Sequence, residues 1–282
     1  MKKLLSLGLT SLMAVTLLSG CTSTQETTET ETAAPVVELK DGKYHAEYDR
    51  KDVRSWIAFV DVTVKDGKIT EAYYDYTNEK KEMRTESQGY IDGFKGANGF
   101  TPREGFDKLG ANLIKTQDAA KVDVVTGATH SSRNFNELAA AAIEKAKTGD
   151  TTAAIVPLYE DGTYKVEADD FDDKGWKPFV ELEIKDHKIA VANFDYINKD
   201  GKLKSEDAEY KTKMEAVAKT YPEKYTAELE KQLVEKQLIG DVDVVTGATH
   251  SVENFKALVE YALDDLAEIG KTGTAAMSMT EE

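Results

Sequence analysis

Two stretches of ten residues, Val122–Ser131 and Val242–Ser251, are identical letter for letter and share the pattern Asp-x-x-Thr-Gly-Ala-Thr-His-Ser. A strand-to-helix turn would use Gly127 and Gly247 for an unusual backbone conformation and Ser132 or Ser251 as an N-cap. It gives no reason for Asp123, Thr126, Ala128, Thr129 and His130 to recur as Asp243, Thr246, Ala248, Thr249 and His250, because many residues serve a turn. The chemical alternative is an anion seat. Free backbone N–H groups at a helix start, together with the helix macrodipole, favour a phosphate there. A hydroxyl at Thr129 or Thr249 could carry that phosphate covalently. There is no Gly-x-x-x-x-Gly-Lys-Ser/Thr run, so a nucleotide-hydrolysing P-loop is not indicated. Other reactive side chains are few. One cysteine, Cys21, excludes an intrachain disulfide framework and a cysteine metal cluster. The histidines are His45, His130, His187 and His250, no two at helical metal-ligand spacing, so no metal site is expected.

The elements that must position these residues are written twice. Asp41-Gly42 matches Asp161-Gly162, Tyr44 matches Tyr164, Trp56 matches Trp176, and Val60 matches Val180. Asp75-Tyr76 matches Asp195-Tyr196, Asn78 matches Asn198, Tyr90 matches Tyr210, Pro102 matches Pro222, and Leu109 matches Leu229. Every pair is 120 positions apart, as 161 less 41 shows, so the register holds from residue 41 to about 147. Within a unit, Tyr44, Ala46 and Tyr48 alternate with polar residues, and Trp56, Ala58, Val60, Val62 and Val64 mark one face of a second strand. Lys65-Asp66-Gly67-Lys68 is a hairpin signal, with Ile69 to Tyr76 returning. Thr101-Pro102-Arg103-Glu104 combines an N-cap, a proline at the first helical position and a capping-box glutamate. Phe106, Leu109 and Leu113 then share a helical face. A short apolar strand, Val122 to Val125, is expected before a last helix carrying Phe135, Leu138 and Ala142, or Phe255, Leu258, Ala262 and Leu266 in the second copy. Strands first and helices later predict an α+β class, with two tandem domains, each an antiparallel sheet followed by packed helices.

The 282 residues suit two such domains of about 110 residues each. Apolar residues at 40% and charged residues at 31% exclude a fibrous repeat, a multi-span membrane protein and a wholly disordered chain. Acidic residues, 52, outnumber the 36 basic ones by 16. A phosphate backbone would repel such a chain, so no nucleic-acid partner is expected.

Lys2 and Lys3 precede an apolar run from Leu4 to Leu18, and Leu18-Ser19-Gly20-Cys21 follows. A charged start, an apolar core of about 15 residues and small residues before a cut have the layout of a secretory signal. The run is short for a spanning helix, which needs about 20 residues. Leu-Ser-Gly-Cys resembles the lipobox of bacterial lipoproteins, which implies a diacylglyceryl group on Cys21, membrane lipid as a partner and a mature protein on the extracellular face of the membrane. Residues 22–34 are nearly all Thr, Glu, Ser and Ala and cannot bury enough surface to fold. The expected plan is a signal peptide over 1–20, a disordered spacer over 21–36, domains over 37–150 and 158–270, and a polar tail over 271–282.

Asp123-Val-Val-Thr126-Gly127-Ala128-Thr129 and Asp243-Val-Val-Thr246-Gly247-Ala248-Thr249 resemble the flavinylation motif of the FMN-binding domain family. The resemblance covers both repeats and is strongest at the motif and the helix after it. It implies two FMN groups, joined through phosphate by a dedicated flavin transferase to Thr129 and Thr249, with Asp123 and Asp243 as the acidic residues that open each motif. With a lipobox and a Thr-rich spacer, the layout is similar to flavinylated lipoproteins of Gram-positive extracellular electron transfer. That similarity implies an electron carrier rather than an enzyme, taking electrons from a membrane quinone-linked donor and passing them to extracellular acceptors such as ferric iron.

Two other functions fit parts of the sequence. A non-flavinylated extracellular binding lipoprotein could use the same fold, and the signal-peptide fragment near Met13 to Gly20 resembles peptide pheromones released from some lipoproteins. Several side chains carry two readings. His130 and His250 either touch the phosphate or flavin, or are polar residues of a helix start. Trp56 and Trp176 either stack on a ring or fill the core. Gly89, Gly93, Gly96 and Gly99 mark either a close approach of backbone to flavin or a mobile surface loop. Tyr73, Tyr74 and Tyr76 pack on a strand by default.

Overall fold

Alternation of apolar and polar residues in the first repeat produces a meander of three strands, β1 (Gly42–Tyr48), β2 (Ile57–Lys65) and β3 (Lys68–Thr77). The computed structural model describes residues 38–279, so Cys21, the signal peptide and the spacer lie outside the described residues. β1 and β2 pair antiparallel, as do β2 and β3. The β2–β3 turn places Asp66 and Gly67 at φ of 52° and 73°, the left-handed pair that an Asp-Gly hairpin provides. Tyr44, Ala46, Ala58, Val60, Val62, Val64, Tyr74 and Tyr76 form the buried face. Against it pack α2 (Pro102–Thr116), through Phe106, Leu109 and Leu113, and α3 (Thr129–Thr148), through Phe135, Leu138 and Ala142. The capping box is complete: the Thr101 hydroxyl accepts from the Glu104 N–H, and the Glu104 carboxylate accepts from the Thr101 N–H.

The sheet has a fourth member that the sequence reading placed in the linker. β4 (Ala154–Val156) lies parallel to β1, with Ala46 opposite Ala154, giving the order β3-β2-β1-β4. The second repeat repeats the plan with β5 (Gly162–Ala168), β6 (Trp176–Lys185) and β7 (Lys188–Asn198). Its helices are α4 (Ala208–Ala218), α5 (Pro222–Lys236) and α6 (Thr249–Tyr261). Its fourth strand, β8 (Gly273–Met277), runs parallel to β5 and corrects the reading of 271–282 as a polar tail. The fold is α+β in two tandem repeats, as the sequence predicts, with sheets that are mixed rather than wholly antiparallel.

Two further expectations are corrected. Val122 to Val125 is not a strand but irregular chain after a short 3₁₀ turn, because Val122 enters the core while Asp123 and Val124 face solvent with no strand beside them. The glycine cluster is helical: α1 (Gln88–Asn98) includes Gly89, Gly93 and Gly96, and Gly99 ends it at φ 79°. A tilted contact of Tyr90 with Phe94 and an edge-to-face contact of Phe94 with Phe100 anchor the helix where its glycines contribute no packing. Each repeat keeps its own sheet. Residues 38–279 form one compact unit, tied at the linker by the Leu158 N–H donating to the Asp49 carboxylate at 3.1 Å.

After α6 the chain departs from its first-repeat counterpart. Where α3 continues as a regular α-helix to Thr148, α6 gives way to a π-helical turn over Ala262–Leu266 and a 3₁₀ turn over Ala267–Ile269. No helix of the described residues is long and apolar enough to cross a membrane.

Candidate functional site

Each ten-residue motif forms the passage from irregular chain into α3 or α6. Val122 and Val242 anchor its start in the core, and Ala128 and Ala248, each 4% exposed, anchor its end. Between them Gly127 and Gly247 turn the chain at φ of 83° and 82°. Both glycines are required by space as well as by conformation. A Cβ at Gly127 would lie 2.4 Å from the Asn98 side-chain oxygen, and one at Gly247 would lie 2.5 Å from the Ala218 carbonyl. The N-caps are Ala128 and Ala248, which offer no side-chain hydrogen bond, rather than Ser132 or Ser251. Ser132 instead lies inside α3: its hydroxyl accepts from the Val125 N–H at 3.0 Å and donates to the Ala128 carbonyl at 2.8 Å.

Thr129 and Thr249 are therefore the first residues of their helices, both exposed, where the leading N–H groups have no intrahelical acceptor. An uncapped helix start with a solvent-facing hydroxyl fits a phosphate in an ester link to that hydroxyl. Asp123 and Thr126, and likewise Asp243 and Thr246, are exposed around it. The Asp243 carboxyl is held below the usual carboxylate range by Lys236, whose ammonium lies 2.7 Å away. Val124 and Val244 are also exposed, at 57% and 62%. Half of the identical segment thus does no work for the core.

Beside Thr129 opens a cleft of about 250 Å³ lined by Arg54, Tyr76, Arg84, Tyr90, Phe94, Asp264 and Asp265 together with Gly127–Ser131. The Arg84 guanidinium sits 4.7 Å above the Tyr76 ring and 4.2 Å above that of Tyr90. In the second repeat Lys204 takes that place, 4.1 Å from the Tyr196 ring centre and 4.7 Å from that of Tyr210. Burial pulls its ammonium down to about 8. Trp176 lies in the core, half of its sequence-level alternative, and its ring is 5.6 Å from the same ammonium. Sequence reasoning missed Arg54, Arg84 and Lys204. The recurrence of a basic residue at 84 and 204, six positions before Tyr90 and Tyr210, was the available signal.

The two motif histidines part company. His250 is exposed, with the Glu253 carboxylate 3.8 Å away. His130 Nε2 lies 3.0 Å from Asp264 and 2.9 Å from Glu268, both contributed by the second repeat. Arg54 donates to both oxygens of Asp264, at 3.1 and 2.9 Å, and Arg133 donates to Glu268 at 2.9 Å. Burial works against protonation of His130, but the two carboxylates outweigh it and hold the imidazole up at about 9. Ligand atoms of His130, Asp264 and Glu268 lie within 4.8 Å of one another, a spacing a metal ion could use. The two guanidinium groups already balance the two carboxylates, so the trio is an ion-pair network.

A model of the FMN-binding domain family matches residues 58–144 and 175–264, one segment in each repeat. The 15 kDa lipoprotein of Treponema pallidum (strain Nichols) is 43% identical over 97 residues, which cover 34% of this chain and 69% of that protein. A crystal structure of a Clostridium perfringens protein is similar at 39% identity, covering 42% of this chain and 97% of the other, with a TM-score of 0.40. A solution structure from Clostridium thermocellum shares 25% identity over 38% of this chain and 92% of its own, with a TM-score of 0.29.

Proposed function

The chain belongs to the FMN-binding domain family, and from that premise we propose that it is a lipid-anchored extracellular electron carrier with one FMN esterified through phosphate to Thr129 and another to Thr249. It is not a turnover enzyme: it takes electrons from a membrane quinone-linked donor and delivers them to extracellular acceptors such as ferric iron. The observation that supports this reading is the placement of the duplicated motif. Ten residues are held identical, yet Asp123, Val124, Thr126 and Thr129 point to solvent and leave the core unchanged. What they serve is therefore outside the chain, and a flavin transferase that must grip the segment to modify it accounts for them.

When bound, the isoalloxazine ring supplies reversible electron transfer. The chain's own residues position it. The uncapped starts of α3 and α6 stabilise phosphate charge, and the Gly127 and Gly247 turns keep the acceptor hydroxyls at the surface. The tyrosine-walled cleft beside Thr129, lined by guanidinium and carboxylate groups, offers the ring aromatic and polar neighbours. An ester link suits an exported carrier, since FMN held only by contacts would diffuse away. Anchoring through Cys21 is supported by the lipobox-like sequence and by similarity to a protein named as a lipoprotein.

Intact-protein mass after co-expression with a flavin transferase tests the proposal. Two FMN increments, and a yellow colour that survives denaturation and dialysis, are expected. A single increment would make the second repeat structural, and an unmodified, colourless chain would overturn the reading.

A further inference from the structure

The identical motifs do not sit in identical surroundings, and the second repeat supplies the two carboxylates that make the difference. Asp264 belongs to the π-helical turn and Glu268 to the 3₁₀ turn that follows it. The equivalent first-repeat positions, Glu144 and Thr148, lie in regular helix. Replacement of a regular helix by a π turn carries an energetic cost and recurs where side chains must be re-aimed. Here the departure delivers two carboxylates, both only 8% exposed, to a histidine that directly follows the first acceptor threonine. One oxygen of Glu268 has no hydrogen-bond partner, an arrangement with no evident benefit to stability.

We propose that the first flavin site is a composite of both repeats, in which Asp264 and Glu268 act as positioning residues that fix His130, and through it the start of α3, beside Thr129, while the second site is self-contained. The proposal deepens the reading above and rests on it for the role of Thr129. Five charged side chains meet there: Asp264 and Glu268 from the second repeat, Arg54 from the β1–β2 connection, and His130 and Arg133 from α3. Asn134 of α3, Arg84, Tyr76 and Tyr90 across the cleft, and Asp265 of the π turn complete the polar groups facing this corner. His130, Arg54 and Arg133 thus share the two carboxylates of the network next to the place where a phosphate would attach. Among the described residues His250 has no cross-repeat partner, so the second site lacks this coupling.

The double variant Asp264→Asn/Glu268→Gln of the unmodified protein, followed by NMR, separates the composite site from a merely structural interface. His130 should titrate below the ordinary histidine value of about 6.5 instead of about 9, because burial and the two guanidinium groups remain when the carboxylates are gone. Amide exchange at Thr129–Ser131 should quicken at least severalfold, while Thr249–Ser251 stay unchanged. The conservative Glu268→Asp variant should retain part of the high His130 value. Loaded with a flavin transferase, the double variant should carry several times less flavin on Thr129 than on Thr249, by peptide mapping. Unchanged His130 titration, or equal change at both motifs, would overturn the proposal. Should wild-type Thr129 take no flavin while His130 and the amides behave as stated, the flavin reading fails and the composite corner stands.

Discussion

Thr129 and Thr249 each carry an exposed hydroxyl on the first residue of their helix, and the serines two residues further on are shielded. Ser131 and Ser251 are 7% and 8% exposed, and the Tyr76 hydroxyl donates to Ser131 at 3.3 Å. Thr129→Ala and Thr249→Ala should therefore each remove one flavin, and the double variant should be colourless yet folded, with stability changed by less than about 0.5 kcal/mol. Mass mapping of flavin peptides checks this, and flavin on either serine would refute the assignment. Gly127→Ala and Gly247→Ala should both destabilise, by about 1 kcal/mol or more for forcing a side chain into a left-handed conformation. Gly247→Ala should cost more, because the obstructing atom there is the Ala218 backbone carbonyl, whereas the Asn98 side chain can swing aside. Urea midpoints of the two variants rank them. His130 makes a pH prediction. Its folded pKa of about 9 lies above its unfolded value, so its stabilisation is complete below about pH 6.5 and is lost as pH rises toward 9. Wild type should lose stability over that window, measured by urea midpoint, and His130→Gln should show a flatter profile.

Elements fixed by local chemistry were legible in the sequence, and those fixed by neighbours were not. β1, β2 and the β2–β3 turn follow from period-two burial and an Asp-Gly pair, and the start of α2 follows from four consecutive residues of capping chemistry. β4 has three residues and β8 has five, too few to show a period, and they are strands only because β1 and β5 offer a free edge. The helix α1 was hidden because each glycine costs about 1 kcal/mol against alanine in a helix interior, so its composition reads as loop. The acceptor motif was visible because the chain carries its own copy for comparison. Asp264 and Glu268 were not, since no local pattern reports a contact across more than a hundred residues of chain. The edge role of β8 can be tested. Ending the chain at Gly270 should uncover β5 and lower stability by on the order of 2 kcal/mol, from lost ladder hydrogen bonds at ~0.5–1.5 kcal/mol each. It should also raise the tendency to associate, since a free edge is a template for another strand. Calorimetry and light scattering of the truncated protein check both effects.

At the scale of the whole molecule, the two repeats behave as one body with two addresses. Residues 38–279 form a single compact unit, and the Arg54–Asp264 and Arg133–Glu268 pairs stitch the repeats together. Thermal unfolding of the wild-type protein should accordingly show one cooperative calorimetric transition, and two resolved transitions would mean that the stitching is too weak to couple the cores.

The position of the closing strands has a consequence for how such a chain grows. β4 follows the last helix of its own repeat and completes its own sheet, and β8 does the same for the second. No strand is lent across the boundary. A block running from a first strand to its closing strand can therefore be copied whole and appended without leaving an orphaned edge in either parent or daughter, which is why the duplication could keep its register over more than a hundred positions. As the polypeptide emerges N-terminus first, the earlier sheet has every one of its strands in hand by Val156, before the later one begins at Gly162. Such a lineage is thus extendable in whole units, each arriving with its own scaffold and its own copy of the ten-residue motif.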